Sequence, residues 1–184
     1  MQDLRYSNNY METKKLFILC GEAFAGKSTL SRKLAEYYGA KIVGRDAIYF
    51  ATNDILALDS APDEDSLPFW ESLWPVMLFG VKNQLMEGNS VVIDDTCLFF
   101  KQREALRQIA KEMNAVPILV YLDIPRDVLE NRKAENKISQ NRHDVPSGEL
   151  AEDALVFERP RDIENPVHFK QGMSFEELTN ILDV

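Results

Sequence analysis

The chain has 184 residues and a mass of 21.1 kDa, which suits one compact domain with a single core. Apolar residues make up 45% and charged residues 28%, a globular balance that argues against disorder, and the 8 glycines and 8 prolines exclude collagen-like and low-complexity readings. Against 30 acids stand 21 bases, a net charge of −9, which disfavours generic binding to nucleic acid or to an anionic membrane.

Two cysteines, Cys20 and Cys97, cannot form a disulfide framework, and with His143 and His168 as the two histidines a structural zinc site is not expected. The polar start lacks the apolar stretch of a signal peptide, and residues 1–13 read as a loose tail ahead of one domain over 14–184. The longest apolar runs, Leu16–Cys20 and Val116–Leu122, fall far short of a membrane span, so a cytoplasmic protein is expected.

In chain order, Leu16–Cys20 predicts a buried strand and Lys27–Tyr38 a helix stopped by Gly39. Lys41–Gly44 predicts a short strand, followed by a helix over Ala47–Leu58 and an acidic loop to Ser66, a candidate N-cap. Phe69–Glu87 predicts a long aromatic-rich helix, kinked near Pro75. Val91–Asp94 reads as a strand, Lys101–Met113 as an amphipathic helix and Val116–Leu122 as a fully apolar strand. A charged helix opens at Pro125 and runs to about Gln140; His143–Gly148 breaks the pattern before a short helix, and Ser174–Leu182 closes the chain. Strands apolar throughout and separated by helices predict a parallel sheet covered on both faces.

Between the first strand and helix lies Gly21-Glu22-Ala23-Phe24-Ala25-Gly26-Lys27-Ser28-Thr29, which contains G-x-x-x-x-G-K-[ST] in the strand–loop–helix setting that motif requires. Its glycines let backbone N–H groups converge into an anion nest, reinforced by the positive end of the helix. In this pattern Lys27 sits between the β- and γ-phosphates of a nucleotide and the Ser28 hydroxyl ligates Mg²⁺. Glu22, acidic inside the loop, is expected to point outward. The run Val91-Val92-Ile93-Asp94-Asp95-Thr96 is an apolar strand ending in acid. Mg²⁺ takes hard oxygen ligands, so either Asp94 or Asp95 can serve it, and strand alternation turns the two to opposite sides.

Gly44-Arg45-Asp46 follows the second strand, where a parallel sheet brings Asp46 to the edge that carries the phosphate loop. A carboxylate there can accept the proton of an attacking hydroxyl, or N-cap the next helix; Arg45 can bind an anionic acceptor or the transferring phosphoryl group. Residues of about 125–148 form a basic segment with Arg126, Arg132, Lys133, Lys137 and Arg142, able to close over developing charge as a small lid. Within it Arg132 is the first candidate and Arg142 the second, since Asp127, Glu130 and Glu135 interleave with the cations as on a solvated helix face.

Together GEAFAGKST, GRDAI, VVIDDT followed by Arg103, and ENRK…NRHDVP…FERP resemble the small P-loop kinases of the polynucleotide-kinase-like, AAA-type ATP-binding group, over residues 15–170. The resemblance implies an α/β fold of three layers, a P-loop NTPase core with a five-stranded parallel sheet, helices on both faces and a small helical lid. It also implies ATP with Mg²⁺ as donor, a hydroxyl acceptor, Asp46 as general base, lid arginines at Arg132 and Arg142, and Arg103 on the substrate side. Phe24 departs from the small residues common in such loops.

From Asp46 to Asp95 the chain holds ten acids and one base, whereas Lys101 to Arg142 holds nine bases and six acids. An acidic acceptor half disfavours a long polyanion and favours a small molecule or nucleotide as phosphoryl acceptor. Trp70, Trp74 and Pro75 can wall an apolar acceptor pocket or belong to the core. The expected activity is transfer of the γ-phosphoryl group of Mg·ATP to a hydroxyl. The alternatives are a polynucleotide or tRNA kinase with the same core, or an ATP-binding NTPase switch.

Overall fold

The computed structural model describes residues 13–56, 67–139 and 155–184, with side chains placed for 13–51, 71–136 and 155–184. Its strands are β1 (Lys15–Cys20), β2 (Lys41–Val43), β3 (Val91–Ile93), β4 (Val116–Asp123) and β5 (Val167–Lys170). Its helices are α1 (Lys27–Tyr38), α2 (Arg45–Leu56), α3 (Leu67–Met86), α4 (Phe100–Glu112), α5 (Arg126–Ser139) and α6 (Phe175–Leu182). The acidic loop, the expected N-cap at Ser66, Arg142, His143 and the His143–Gly148 break lie outside the described residues.

All five strands are parallel, in the order β2-β3-β1-β4-β5. Alternation within the strands sorts the core into two layers. Leu16, Ile18, Val91, Ile93 and Leu119 face Met77, Val81 and Leu85 of α3 and Leu106 and Ile109 of α4. Phe17, Leu19, Val92, Val120 and Leu122 face Leu30 and Leu34 of α1, Leu129 of α5 and Leu178 and Leu182 of α6. Helices thus cover both faces, as the uninterrupted apolar strands require. No helix among the described residues is long and apolar enough to cross a membrane.

Helix boundaries follow their local chemistry. Gly26 opens α1 at φ +103° and Gly39 closes it at φ +61°, both left-handed positions that glycine adopts at little cost. Ser174 caps α6 by accepting from the Glu177 N–H at 3.1 Å. The helix after β2 begins at Arg45, two residues before its expected start, so Asp46 lies inside the first turn and is not its N-cap. Val167–Lys170 was not expected as a strand from its own residues, since half of it faces outward and no apolar run marks it.

The strand order locates the crevice. The connection from β1 passes β3 to reach β2, while that from β3 passes β1 to reach β4. At such a switch the loops after the two neighbouring strands diverge and leave a ligand-sized opening at their carboxyl ends.

Arg103, expected on the substrate side, is a correction: it is fully buried in α4 with no surface exposed to a ligand. Its Nε and Nη2 donate to Glu164 at 2.7 and 3.0 Å, and its Nη1 donates to the carbonyls of Cys97 and Leu98 at 2.9 and 3.2 Å. The guanidinium thereby ties the loop after β3 to the turn before β5. Burial alone would raise the Glu164 carboxyl, but the bonds from Arg103 outweigh it and hold the group below its ordinary 4.5. Arg103→Met is expected to lower unfolding free energy by about 3 kcal/mol, since Arg107 still reaches Glu164, and the double change with Glu164→Leu to recover most of that loss. A depressed carboxyl contributes stability that is complete above its unfolded pKa and fades as pH falls through the folded one. Urea titrations at neutral and acid pH should therefore show a loss on acidification that is smaller in the double variant than in wild type, while Glu112, Glu177 and Asp183, also held below their ordinary values, keep part of it in both.

Candidate functional site

Chain segments after β1, β2 and β3 meet at the crevice. In the phosphate loop, the N–H groups of Gly26, Lys27 and Ser28 take no backbone acceptor among the described residues. They belong to the open end of α1, where donors lack intrahelical partners and the helix dipole is positive. The Gly21 N–H donates to the Thr96 carbonyl at 3.3 Å, fixing the loop to the segment after β3. Phe24 stands at φ +64°, a left-handed position unusual for a bulky residue. Strained positions of this kind persist where the surroundings hold them, and two carbonyls here, those of Phe24 and Ala25, accept from Arg132 Nη1 at 3.0 and 3.2 Å. Arg132 Nη2 donates to Gln171 at 3.2 Å, so the expected lid arginine lies directly on the phosphate loop.

Lys27 folds back over the loop, its Nζ donating to the carbonyls of Gly21 and Glu22 at 2.9 Å each. Burial lowers its pKa, opposed by Asp95 and Asp94. Glu22 lines a separate cleft of about 490 Å³ with Asp123, Arg126 and Arg159. Ala23 and Ala25 complete the turn, and Thr29 follows Ser28 on α1.

The two strand-end acids part company. Asp94 accepts from Ser28 Oγ at 3.3 Å and from Ser31 Oγ at 3.1 Å. Asp95 is buried and binds Arg45 through both oxygens, at 2.6 Å from Nε and 2.7 Å from Nη2. The side-chain oxygens of Ser28 and Asp94 thus converge beside the cup, a hard donor pair that suits Mg²⁺. Among the described residues no group of three His, Cys, Asp or Glu side chains forms a metal cluster; Mg²⁺ sites in general use one or two carboxylates, with substrate phosphates and water for the rest.

Arg45 is engaged by Asp95 and lies over the Trp74 ring at 5.9 Å, so the edge expected to take an anionic acceptor is already committed. The neighbouring Asp46 is exposed, with its carboxylate making no hydrogen bond among the described residues. Desolvation, then the Asp95 and Asp94 charges, push its carboxyl above the ordinary 3.8 against the pull of Arg45 and Lys27. Burial pushes the Cys20 thiol up to about 12, against the pull of Arg103 and Lys27.

Gly44 makes this meeting possible. A side chain there would place Cβ 2.4 Å from the Asp94 carbonyl, inside any allowed contact. Sequence reasoning passed over Gly44, Ser31 and the Arg45–Asp95 pair. Ser31 had a local signal, one turn beyond Ser28 on the same helix face; the ion pair joins residues 50 apart and had none. Gly44→Ala is expected to force β2 and α2 away from β3, costing about 1–3 kcal/mol in thermal unfolding and displacing Arg45 and Asp46 together.

On the other side of the loop a cavity of about 790 Å³ runs from Gly26 and Thr29 to Phe169, Met173 and Phe175, with Arg132 and Asn136 of α5 along one wall. It adjoins the phosphate cup and is large enough for a nucleoside.

Three kinds of similarity bear on this arrangement. A family model described as an AAA domain matches residues 16–160. The L-seryl-tRNA(Sec) kinase of Methanococcus maripaludis is 28% identical over 152 residues, which cover 75% of this chain and 56% of that protein, so the chain spans little more than half of its relative's length. Among solved structures, a putative kinase from Chloroflexus aurantiacus superposes with a TM-score of 0.70 at 19% identity, covering 93% of this chain and 94% of that one. The Mycobacterium tuberculosis APS kinase in complex with AMPPNP and APS gives 0.64 at 16% identity, with 93% and 96% covered. The chain belongs to this AAA-domain family and has the α/β fold of the small P-loop kinases.

Proposed function

We propose that this protein is an ATP-dependent phosphotransferase that moves the γ-phosphoryl group of Mg·ATP to a hydroxyl of a small molecule or nucleotide. One observation carries the reading: an anion cup with its lysine and a serine–carboxylate pair share one crevice with Asp46, an exposed residue in the first turn of α2 whose carboxyl feels the charges of Asp95, Asp94 and Lys27. An NTPase switch needs the first two; a transferase also needs the third.

In this reading the loop amides and Lys27 hold the phosphate tail, and Lys27 exchanges its two loop carbonyls for phosphate oxygens. Ser28 and Asp94 would hold Mg²⁺, which supplies charge neutralisation on the phosphates. Asp46 accepts the proton of the attacking hydroxyl and orients its oxygen in line with the phosphorus. Arg132, already on the loop, turns toward the phosphoryl group as α5 closes. The Arg45–Asp95 pair acts as a fixed support that places Asp46. With Arg45 neutralised and Asp46 and Asp94 both acidic, the acceptor side favours a neutral or cationic hydroxyl compound over a polyanion. A tRNA kinase is the second reading, favoured by the archaeal relative. It requires salt-sensitive tRNA binding, and absence of such binding at low salt rejects it.

Label transfer from γ-labelled ATP to a panel of hydroxyl compounds tests the proposal. Lys27→Ala should lower kcat by about 10²–10³-fold. Asp46→Asn should leave ATP affinity within about twofold yet lower transfer by about 10²–10⁴-fold. If Asp46→Asn retains full ATP turnover, the NTPase-switch reading replaces the transferase. The raised Asp46 carboxyl must be ionised to act, so kcat/KM should fall on acidification with a midpoint above 3.8, and Asp46→Asn should lose that limb.

A further inference from the structure

We infer that Asn136 reads the base of the donor nucleotide as adenine; the inference rests on the phosphotransferase reading and names the residue that selects its donor. Asn136 lies one helical turn beyond Arg132 on α5, on the face turned toward the cavity that adjoins the phosphate cup. It is 7% exposed, and its amide nitrogen is buried with no hydrogen-bond partner. Every other buried side-chain nitrogen or oxygen among the described residues has a partner, so this donor stands apart. Burying an amide donor without an acceptor is costly, and the cost is recovered when a ligand supplies one.

The cavity says what kind of ligand that is. Its lining includes Phe169, Met173 and Phe175, apolar and aromatic surfaces that suit the face of a flat ring, along with the charged Lys33 and Glu135. Phe24, Ala25 and Gly26 of the phosphate loop line it too, so it is continuous with the phosphate cup. A purine joined to a phosphate tail in that cup brings its edge to α5. A carboxamide pairs with adenine through two bonds, its nitrogen donating to N7 and its oxygen accepting from the exocyclic amine. Guanine offers acceptors at both positions, so its O6 would meet the carboxamide oxygen.

Equilibrium binding of Mg·ATP, Mg·GTP and the Mg complex of 7-deaza-ATP to the full chain tests this. The last probe differs from ATP at the N7 acceptor. The wild type should bind ATP about tenfold more tightly than either of the others, and Asn136→Ala should bind all three within about twofold. The nucleotide-free Asn136→Leu variant should melt at a higher temperature than wild type, because the unpaired donor is gone, while gaining less from added ATP. Equal affinity of the wild type for ATP and 7-deaza-ATP overturns the role of Asn136 and leaves the phosphotransferase reading standing. Failure to bind any of the three overturns both.

Discussion

Parallel pairing of β1 with β3, in the register Leu16 to Val91 through Ile18 to Ile93, is the constraint on which the site depends. It brings two loops 66 residues apart in sequence into hydrogen-bond contact, Ser28 with Asp94. The pairing rests on strands buried on both faces, whose apolar residues have no stable place except between helix layers. Because the connections leaving β1 and β3 run in opposite directions, the ends of these strands stay uncovered, and the charged crevice sits where the core stops.

Around that crevice the charges are arranged in pairs that leave particular groups available. Asp95 and Arg45 neutralise each other below the surface, and Glu164 and Arg103 do so behind it. Both pairs join segments distant in sequence, and each braces a loop that approaches the phosphate cup. What remains toward solvent is the cup itself, Asp94 beside its serines, and Asp46. Asp46 differs from Asp95 in that desolvation and the nearby acids raise its carboxyl, whereas Asp95 is held by a guanidinium.

Much of this was legible because the relevant signals are contiguous. The phosphate loop lies in nine successive residues, and Lys27–Tyr38 and its glycine stop are read without reference to the rest of the chain. Alternation along Asp94-Asp95 correctly turned the two carboxylates apart, but which one faced Ser28 depended on packing against β1 and α1. The fifth strand was implied by family resemblance alone, because Val167-His168-Phe169-Lys170 alternates in exposure like a half-covered edge segment. Arg103 was placed on the substrate side by the family resemblance alone; its partner here, Glu164, is 61 positions away and had no mark of its own. Asn136 was invisible for the same reason, since an amide on a charged helix looks like surface until the cavity beside it is known.

The proposed function requires the phosphate cup and the Ser28–Asp94 oxygens to act together on a metal-bound triphosphate. Calorimetric titration of ATP with and without Mg²⁺, on wild type and on Asp94→Asn, measures that coupling. Mg²⁺ should tighten ATP binding to the wild type by at least about tenfold, and Asp94→Asn should lose this gain while still binding the nucleotide. Equal affinities with and without Mg²⁺, or an Mg²⁺ gain undiminished in the variant, would contradict it.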